Sequence, residues 1–245
     1  MTDANDRRPI GPVVENWQPP SPPGPDAIDG RYVRLERLDP AHHAAPVFEV
    51  TRDDAALWDY MSNGPFADAA AMRVAMEAAS LSDVVFYVMQ AADTGDTLGY
   101  ASFMRIDAAN GVLEIGNVVI APAAQRSRAA SEGLMAMIAW AFGAGYRRVE
   151  WKCNALNAPS RRAARRYGFA FEGMFRDHMI VKGRSRDTAW FAMTADDWAE
   201  LSTAYDTWLL PQNFDGDRQI TSLSSLTAPV VLRAEKMLSA LVRLP

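Results

Sequence analysis

Apolar and polar residues alternate along RYVRLERL (31–38), which predicts a strand. Pro40 to Leu57 reads as a helix, and Asp68 to Leu81, rich in Ala and Met and opening after the turn-like SNGPF, as a second. The pattern then turns to β in VVFYVMQA (84–91), TLGYASFMRID (97–107) and GVLEIGNVVIA (111–121). DTGD and AANG between them suit tight hairpins, so these strands are expected to form an antiparallel meander. After Pro122 come a helix from Gln125 to Gly143, a strand RRVEWKCN (147–154), a helix APSRRAARRYG (158–168), strands at 169–181 and 187–193 joined by KGRSRD, and a helix from Ala195 to Leu209. Mixed elements with a βαβα unit in the second half imply a central sheet with helices on its faces.

The flanks differ from this body. Residues 1–30 contain PPSPPGPD and little apolar period, so they are expected to form an extended arm or a disordered lead. Residues 31–210 form the predicted domain. The segment 211–245 is an amphipathic tail, with Ile220, Leu223, Leu226, Val230, Val231, Met237, Leu238, Leu241 and Val242 in loosely helical spacing, expected to pack on the body or on a second copy in a homodimer. No internal repeat interrupts the chain.

Composition narrows the class. With 245 residues and 49% hydrophobic content, one well-buried domain with extensions fits better than two. A lone cysteine, Cys153, excludes an internal disulfide framework and suits a reducing compartment. The N-terminus lacks the apolar run of a secretory signal, and no stretch reaches the roughly 20 apolar residues that span a bilayer, so a soluble cytoplasmic protein with no membrane partner is expected. His42, His43 and His178 have no metal-ligand spacing, and no metal is predicted. The net charge of −5 conceals an asymmetry: from Arg126 to Arg186 thirteen Lys or Arg stand against four Asp or Glu, a local +9, leaving −14 elsewhere. A basic segment inside an acidic protein argues against nucleic acid and for a local polyanionic ligand, the plainer reading being a solvated arginine-rich helix face.

The segment EIGNVVIAPAAQRSRAASE (114–132) concentrates the chemistry. It is a buried strand, a Pro-containing turn and a basic loop opening directly into a helix, whose start offers unpaired N–H groups and the positive end of a dipole to a pyrophosphate. Arg126 and Arg128 add charge there. The loop Gln125-Arg126-Ser127-Arg128-Ala129-Ala130 resembles the coenzyme A motif of the GNAT superfamily, Gln/Arg-x-x-Gly-x-Gly/Ala, with Arg128 in place of the central Gly. The likeness is greatest to the branch that includes ribosomal-protein alanine N-acetyltransferases, where a following Ser/Thr-Glu pair is familiar, as in Ser131-Glu132, and it runs over roughly Tyr32 to Leu201.

That resemblance implies an α/β (α+β) acyl-CoA N-acyltransferase fold with a mixed, mostly antiparallel sheet. It also implies transfer of an acetyl group from acetyl-CoA to a primary amine. The backbone of Val118, Val119 and Ile120 would hold the pantetheine arm and thioester carbonyl, and donors aimed at the developing oxyanion are worth roughly 3 kcal/mol each in other enzymes. The loop 125–130 would hold the diphosphate, and Asn157 would contact the coenzyme. Some of Arg161, Arg162, Arg165 and Arg166 would meet its 3'-phosphate, the others being solvated. An amine with pKa about 10.4, as in lysine, is almost wholly protonated at neutral pH, whereas an α-amine near 8 is partly free, so a carboxylate base is needed. Glu114, eleven residues before Gln125, has the spacing of the catalytic glutamate in the histone acetyltransferase branch; a structural carboxylate is the alternative.

Other residues carry weaker signals. Asn157 and Ser160 either cap the following helix or serve the coenzyme, with Ser160 near its sulfur. Many family members place a tyrosine acid seven residues after the asparagine, where this chain has Ala164, so Ser160 or a water is left to protonate the thiolate. Cys153 has no acid or histidine partner nearby and reads as a buried thiol. Trp58, Tyr60 and Phe66 would line either the acceptor pocket or the core. Three acceptor readings stay open: a protein N-terminal amine, a small-molecule amine such as an aminoglycoside, polyamine or amino acid, and none, in a non-catalytic acyl-CoA-binding module.

Overall fold

The computed structural model describes residues 11–216 and 218–241. Ten strands are formed: β1 (Ala27–Asp29), β2 (Val33–Arg37), β3 (Val85–Ala91), β4 (Thr97–Asp107), β5 (Val112–Ile120), β6 (Arg148–Asn154), β7 (Ala170–Val181), β8 (Arg184–Thr194), β9 (Phe214–Asp215) and β10 (Arg218–Gln219). The first eight make one sheet in the order β1-β2-β3-β4-β5-β6-β8-β7, and β9 and β10 a small hairpin. Every neighbouring pair is antiparallel except β5 and β6, which are parallel and joined by a crossover through the helix over Arg128–Gly143. The mixed, mostly antiparallel sheet of the sequence reading is therefore correct.

Six helices cover it unequally: α1 (Pro40–Thr51), α2 (Ala69–Ser80), α3 (Arg128–Gly143), α4 (Ala158–Arg166), α5 (Ala195–Leu209) and α6 (Leu223–Leu241). One face packs under α3, α4 and α5 in a continuous core that includes Leu35, Phe103, Ile115, Ile138, Val149, Phe169, Phe191 and Trp208. The opposite face is covered by α1 and α2, whose cluster takes Val88, Tyr100 and Val119 from β3, β4 and β5 and nothing from β6, β7 or β8. Among the described residues no helix lies over the second face of that last part of the sheet, and this leaves room for a site.

Boundaries moved where local chemistry overrides the pattern. The helix expected over 40–57 ends at Thr51, because the Asp54 side chain accepts the Ala56 N–H at 3.0 Å and starts a separate 3-10 turn over Ala55–Trp58. The helix expected from Gln125 begins at Arg128: Pro122–Ala124 forms its own 3-10 turn, and Arg126 is left-handed at φ 65°. KGRSRD is not a loop. Lys182 and Gly183 both take positive φ, 49° and 72°, which closes a two-residue hairpin and extends β8 back to Arg184.

The flanks are tied to the body. Of the arm over 1–30, residues 1–10 lie outside the described part. The remainder is laid along the domain: the Trp17 indole donates to Ala109 O, Tyr146 and Tyr87 hydroxyls donate to Ser21 O and Pro25 O, and β1 pairs with β2. In the tail over 211–245, α6 buries Leu223, Val230 and Val231 against the domain, and Glu235 accepts from both Arg165 Nη1 at 2.6 Å and the Phe171 amide at 3.2 Å. Residues 242–245 lie outside the described part.

One buried acid holds the start of the sheet to α3. Glu132 is 4% exposed, and its carboxylate accepts the amides of Arg31 at 2.8 Å and Tyr32 at 2.6 Å. Gly30 makes room for it, since a Cβ there would lie 2.7 Å from the carboxyl carbon. Hydrogen bonds to a charged acceptor are each worth about 1.5–3 kcal/mol. Replacing Glu132 by Ala is expected to cost about 3 kcal/mol in chemical denaturation and about 9 °C in melting temperature, with Glu132→Gln costing less. A loss below about 1 kcal/mol would mean that water substitutes for the carboxylate.

Candidate active site

The site is built where β5 and β6 part. They pair only from Val112↔Arg148 to Glu114↔Glu150; beyond Glu114 the two strands are no longer in register with each other. The cause lies in β5 itself. Between Gly116↔Ser102 and Val119↔Tyr100 it carries one more residue than β4, and Asn117 sits there at φ 50°. The bulge is pinned by Asn117 Nδ2 donating to Ser102 Oγ at 3.0 Å, and by that buried hydroxyl donating to Gly116 O at 3.1 Å. It bends β5 towards β4 and opens a fork toward α3 and α4. Ala121 N–H donates back to Leu98 O, so by alternation the backbone groups of Val118 and Ile120 turn to the fork. Val119 pairs with Tyr100 and buries its side chain beneath α1 and α2.

Glu114 stands at the crotch of the fork, 5% exposed, on the face without a helix. Lys152 Nζ and Arg105 Nε each lie 3.2 Å from its Oε2, as ion pairs whose N–H directions do not make hydrogen bonds. Lys152 is itself buried, lies 2.8 Å from Glu150 and is stacked on the Trp190 ring at 3.7 Å. Glu150 and Glu172 both hold Arg148. The two carboxylates at the crotch are driven apart in acidity. Burial pushes Glu114 above the ordinary carboxylate range and outweighs the pull of Lys152 and Arg105. Burial also acts on Glu150, but there the ion pair with Lys152 and the hydrogen bond from Arg148 prevail and hold it below that range. Such divergence separates a proton-accepting group from a permanently charged one.

At the wide end of the fork α3 begins. Ser127 caps it, its hydroxyl accepting the Ala130 N–H at 3.1 Å, while the amides of Arg128 and Ala129 have no acceptor among the described residues. Gln125 reaches back to Ile120 O, and Arg126 is exposed. A left-handed backbone at a non-glycine residue costs about 1–2 kcal/mol, strain of the kind concentrated at ligand-binding turns. Arg128 departs from its expected role: its guanidinium lies between the Tyr32 and Phe214 rings, 3.9 and 4.5 Å from their centroids, so its side chain joins α3 to β2 and the C-terminal hairpin and only its amide faces the loop. Free first-turn amides, one exposed arginine and an unpaired strand edge fit a diphosphate with an extended amide-bearing arm, which is the shape of a coenzyme A thioester.

On the other branch, Asn157 caps α4 by accepting the Ser160 amide at 3.0 Å. Ser160 Oγ accepts from the Trp151 indole at 3.0 Å and lies against the Cys153 thiol. Ala164 is fully buried, so the position at which the family resemblance implies a tyrosine acid belongs here to the core. Cys153 is buried too, which pushes its thiol up and makes it a poor nucleophile. The arginines of α4 are largely committed within the protein, Arg161 to Ala155 O, Arg165 to Glu235 and Arg166 to Ser131 Oγ.

Of the aromatic residues, Trp58 is 2% exposed and meets Phe66 edge-on in the core beneath α1 and α2. Tyr60 is on the rim, its hydroxyl donating to Leu156 O across the gap, and Lys182 at the β7–β8 turn donates to the carbonyls of Trp58 and Gly64. Phe175, His178 and Trp190 form a further aromatic group on the uncovered face. Sequence reasoning did not single out Arg105, Lys152, Glu150 or Arg186. The charged pair flanking Trp151 was the visible signal, since alternation sends Glu150 and Lys152 away from the core. Among the described residues, no group of three or more potential metal ligands occurs and no helix is long and apolar enough to cross a membrane.

Comparison with known proteins agrees with this geometry. A family model described as acetyltransferase (GNAT) domain matches residues 33–170. A GCN5-related N-acetyltransferase from Brucella melitensis is 40% identical, with a TM-score of 0.84 over 88% of this chain and 100% of that one. A GNAT-family acetyltransferase from Chromobacterium violaceum is 36% identical, with a TM-score of 0.75 over 79% and 98% of the two chains. The acetyltransferase from Salmonella typhimurium that modifies the N-terminal serine of a 50S ribosomal subunit protein shares the fold at 20% identity, with a TM-score of 0.60 over 69% and 98%. No curated protein matches. Forked strands, capped loop and sequence likeness converge, and the chain belongs to the GNAT family of acetyltransferases.

Proposed function

We propose that the protein moves an acetyl group from acetyl-CoA directly to the α-amine of a protein N-terminus, in the cytoplasm, with Glu114 as the base. The observation that carries this is the buried Glu114 carboxylate at the crotch of the fork, 3.2 Å from Lys152 and Arg105, where burial pushes its acidity down. In this reading Gln125, Arg126 and the amides of Arg128 and Ala129 hold the diphosphate, the backbone of Val118 and Ile120 orients the thioester, and Asn157 borders the coenzyme. The amine nitrogen, freed of a proton by Glu114 or by a water between them, forms the new C–N bond to the thioester carbonyl. The nitrogen loses its surplus proton to water as the C–S bond breaks, and the departing sulfur takes a proton from a water or through the Ser160 hydroxyl, which recovers its own from that water. Tyr60 marks the mouth through which the acceptor arrives. An α-amine suits a base of moderate strength, because part of it is already neutral near pH 7. A related fold acts on an N-terminal serine in Salmonella typhimurium, which is in keeping with the choice.

Two measurements test the reading. Because burial raises its pKa above the ordinary 4.5, Glu114 remains protonated and inactive further up the pH scale than an exposed glutamate, so kcat/KM should rise with pH along a limb displaced above that value. Glu114→Gln should abolish the limb and lower turnover on the order of a hundredfold at neutral pH, with the deficit shrinking as the acceptor amine itself deprotonates. An identical limb in the variant would remove Glu114 from proton transfer. Arg126→Ala should weaken coenzyme A binding in isothermal titration by about fivefold while the acceptor KM changes little. Equal losses for both ligands would argue against a phosphate contact.

A further inference from the structure

On the uncovered face near Glu114 stands a cation, Arg186, whose buried Nε meets no acceptor among the described residues. Alternation along β8 puts Arg186, Thr188 and Trp190 on the same face, and Thr188 and Trp190 lie across from Asn154 and Lys152 of β6. Arg105 is paired with Glu114, Lys152 with Glu114 and Glu150, and Arg148 with Glu150 and Glu172. Arg186 makes no ion pair and no side-chain hydrogen bond among the described residues, and its Nε is buried without an acceptor. A buried donor left unpaired is costly, and in native structures such groups call for a reason. Arg186 extends past the end of β6, beside the junction where Ala155 N–H donates to Asp187 O and the fork is widest. Burial lowers its pKa, Cys153 and Glu114 act in the opposite sense, and Arg105 repels it, which locates the guanidinium near the fork.

An oxyanion arriving from outside would complete this arrangement, because the guanidinium offers a planar set of donors matched to a carboxylate. A second positive charge on the acceptor, as in a polyamine, would instead meet Arg105, Lys152 and Arg186 together. We propose that the acceptor carries a carboxylate close to its amine and that Arg186 is the specificity-determining residue that binds it. This rests on the reading of Glu114 as the base at an amine site and adds the charge of the acceptor to it. The carboxylate has two natural sources, an acidic side chain next to a peptide's N-terminus or the α-carboxylate of a free amino acid, and both present the same group to the guanidinium.

Two acceptor pairs distinguish them: peptides beginning Ser-Asp and Ser-Asn, and a free amino acid with its amide. With thiol release as the assay, the carboxylate member should be favoured at least about tenfold in kcat/KM in one pair or the other. Arg186→Gln should bring that ratio to within about threefold of unity, and Arg186→Lys should retain an intermediate preference. Titration of the coenzyme A-bound protein with the same compounds reads the preference without turnover. A ratio near unity for both pairs in the unaltered protein, or a preference undiminished in Arg186→Gln, would overturn the inference. Should no amine release thiol while titration still gives an Arg186-dependent preference, the acetyl-transfer reading falls and the anion site stands.

Discussion

The parting of β5 and β6 is the constraint from which the rest of the molecule takes its form. Two parallel strands joined through α3 would ordinarily zip along their whole length, burying every backbone group between them. One extra residue at Asn117 prevents this, and the neighbouring hydroxyl of Ser102 makes the bulge an ordered feature with its polar groups satisfied. The strand edges left open need hydrogen-bond partners, and in the proposed reading a thioester with its amide-bearing arm would supply them. The helices that start on either side of the fork then bring their capped ends to its opening.

A second consequence concerns charge. On an uncovered but recessed face, carboxylates and cations can be buried without losing contact with a substrate. Glu114 pays for its burial with a weakened acidity, and that is the property a base near neutral pH needs. Lys152 stacks on Trp190 and stands between Glu114 and Glu150, so the negative charge of the first is moderated and that of the second fixed. Arg186, with its orphaned donor, extends the same layer past the end of β6.

The extensions hold in place the loop that opens into α3. Arg128 is locked between Tyr32 and Phe214, while Glu132 one turn later binds the backbone at Arg31 and Tyr32, so α3 is fastened at its first two turns to both the first strands and the C-terminal hairpin. On the other branch, α6 clamps α4 through Glu235 on Arg165 and the Phe171 amide, and through Thr227 on Arg166 O. Helix starts held this firmly keep their amides aimed without reorganisation when a ligand arrives.

By itself the sequence determined the period and order of the strands and helices from β2 to α5, and the loop Gln125–Ala130 with its likeness to a coenzyme A motif, while β1, β9 and β10 carried too little pattern to be seen. These are local properties, set by alternation, capping residues and turn chemistry, and α5 over Ala195–Leu209 was legible to the residue because Thr194 and Asp197 form a capping box. Tertiary structure decided what lies far apart in the chain. It put Trp58 in the core and Tyr60 on the rim, turned Arg128 from the loop to a stack between two rings, and made Ala164 a packing position. It also gathered Arg105, Glu114, Lys152 and Arg186 from four strands onto one face. No period in the chain encodes such a gathering, since it arises from the register of strands whose pairing depends on the whole sheet.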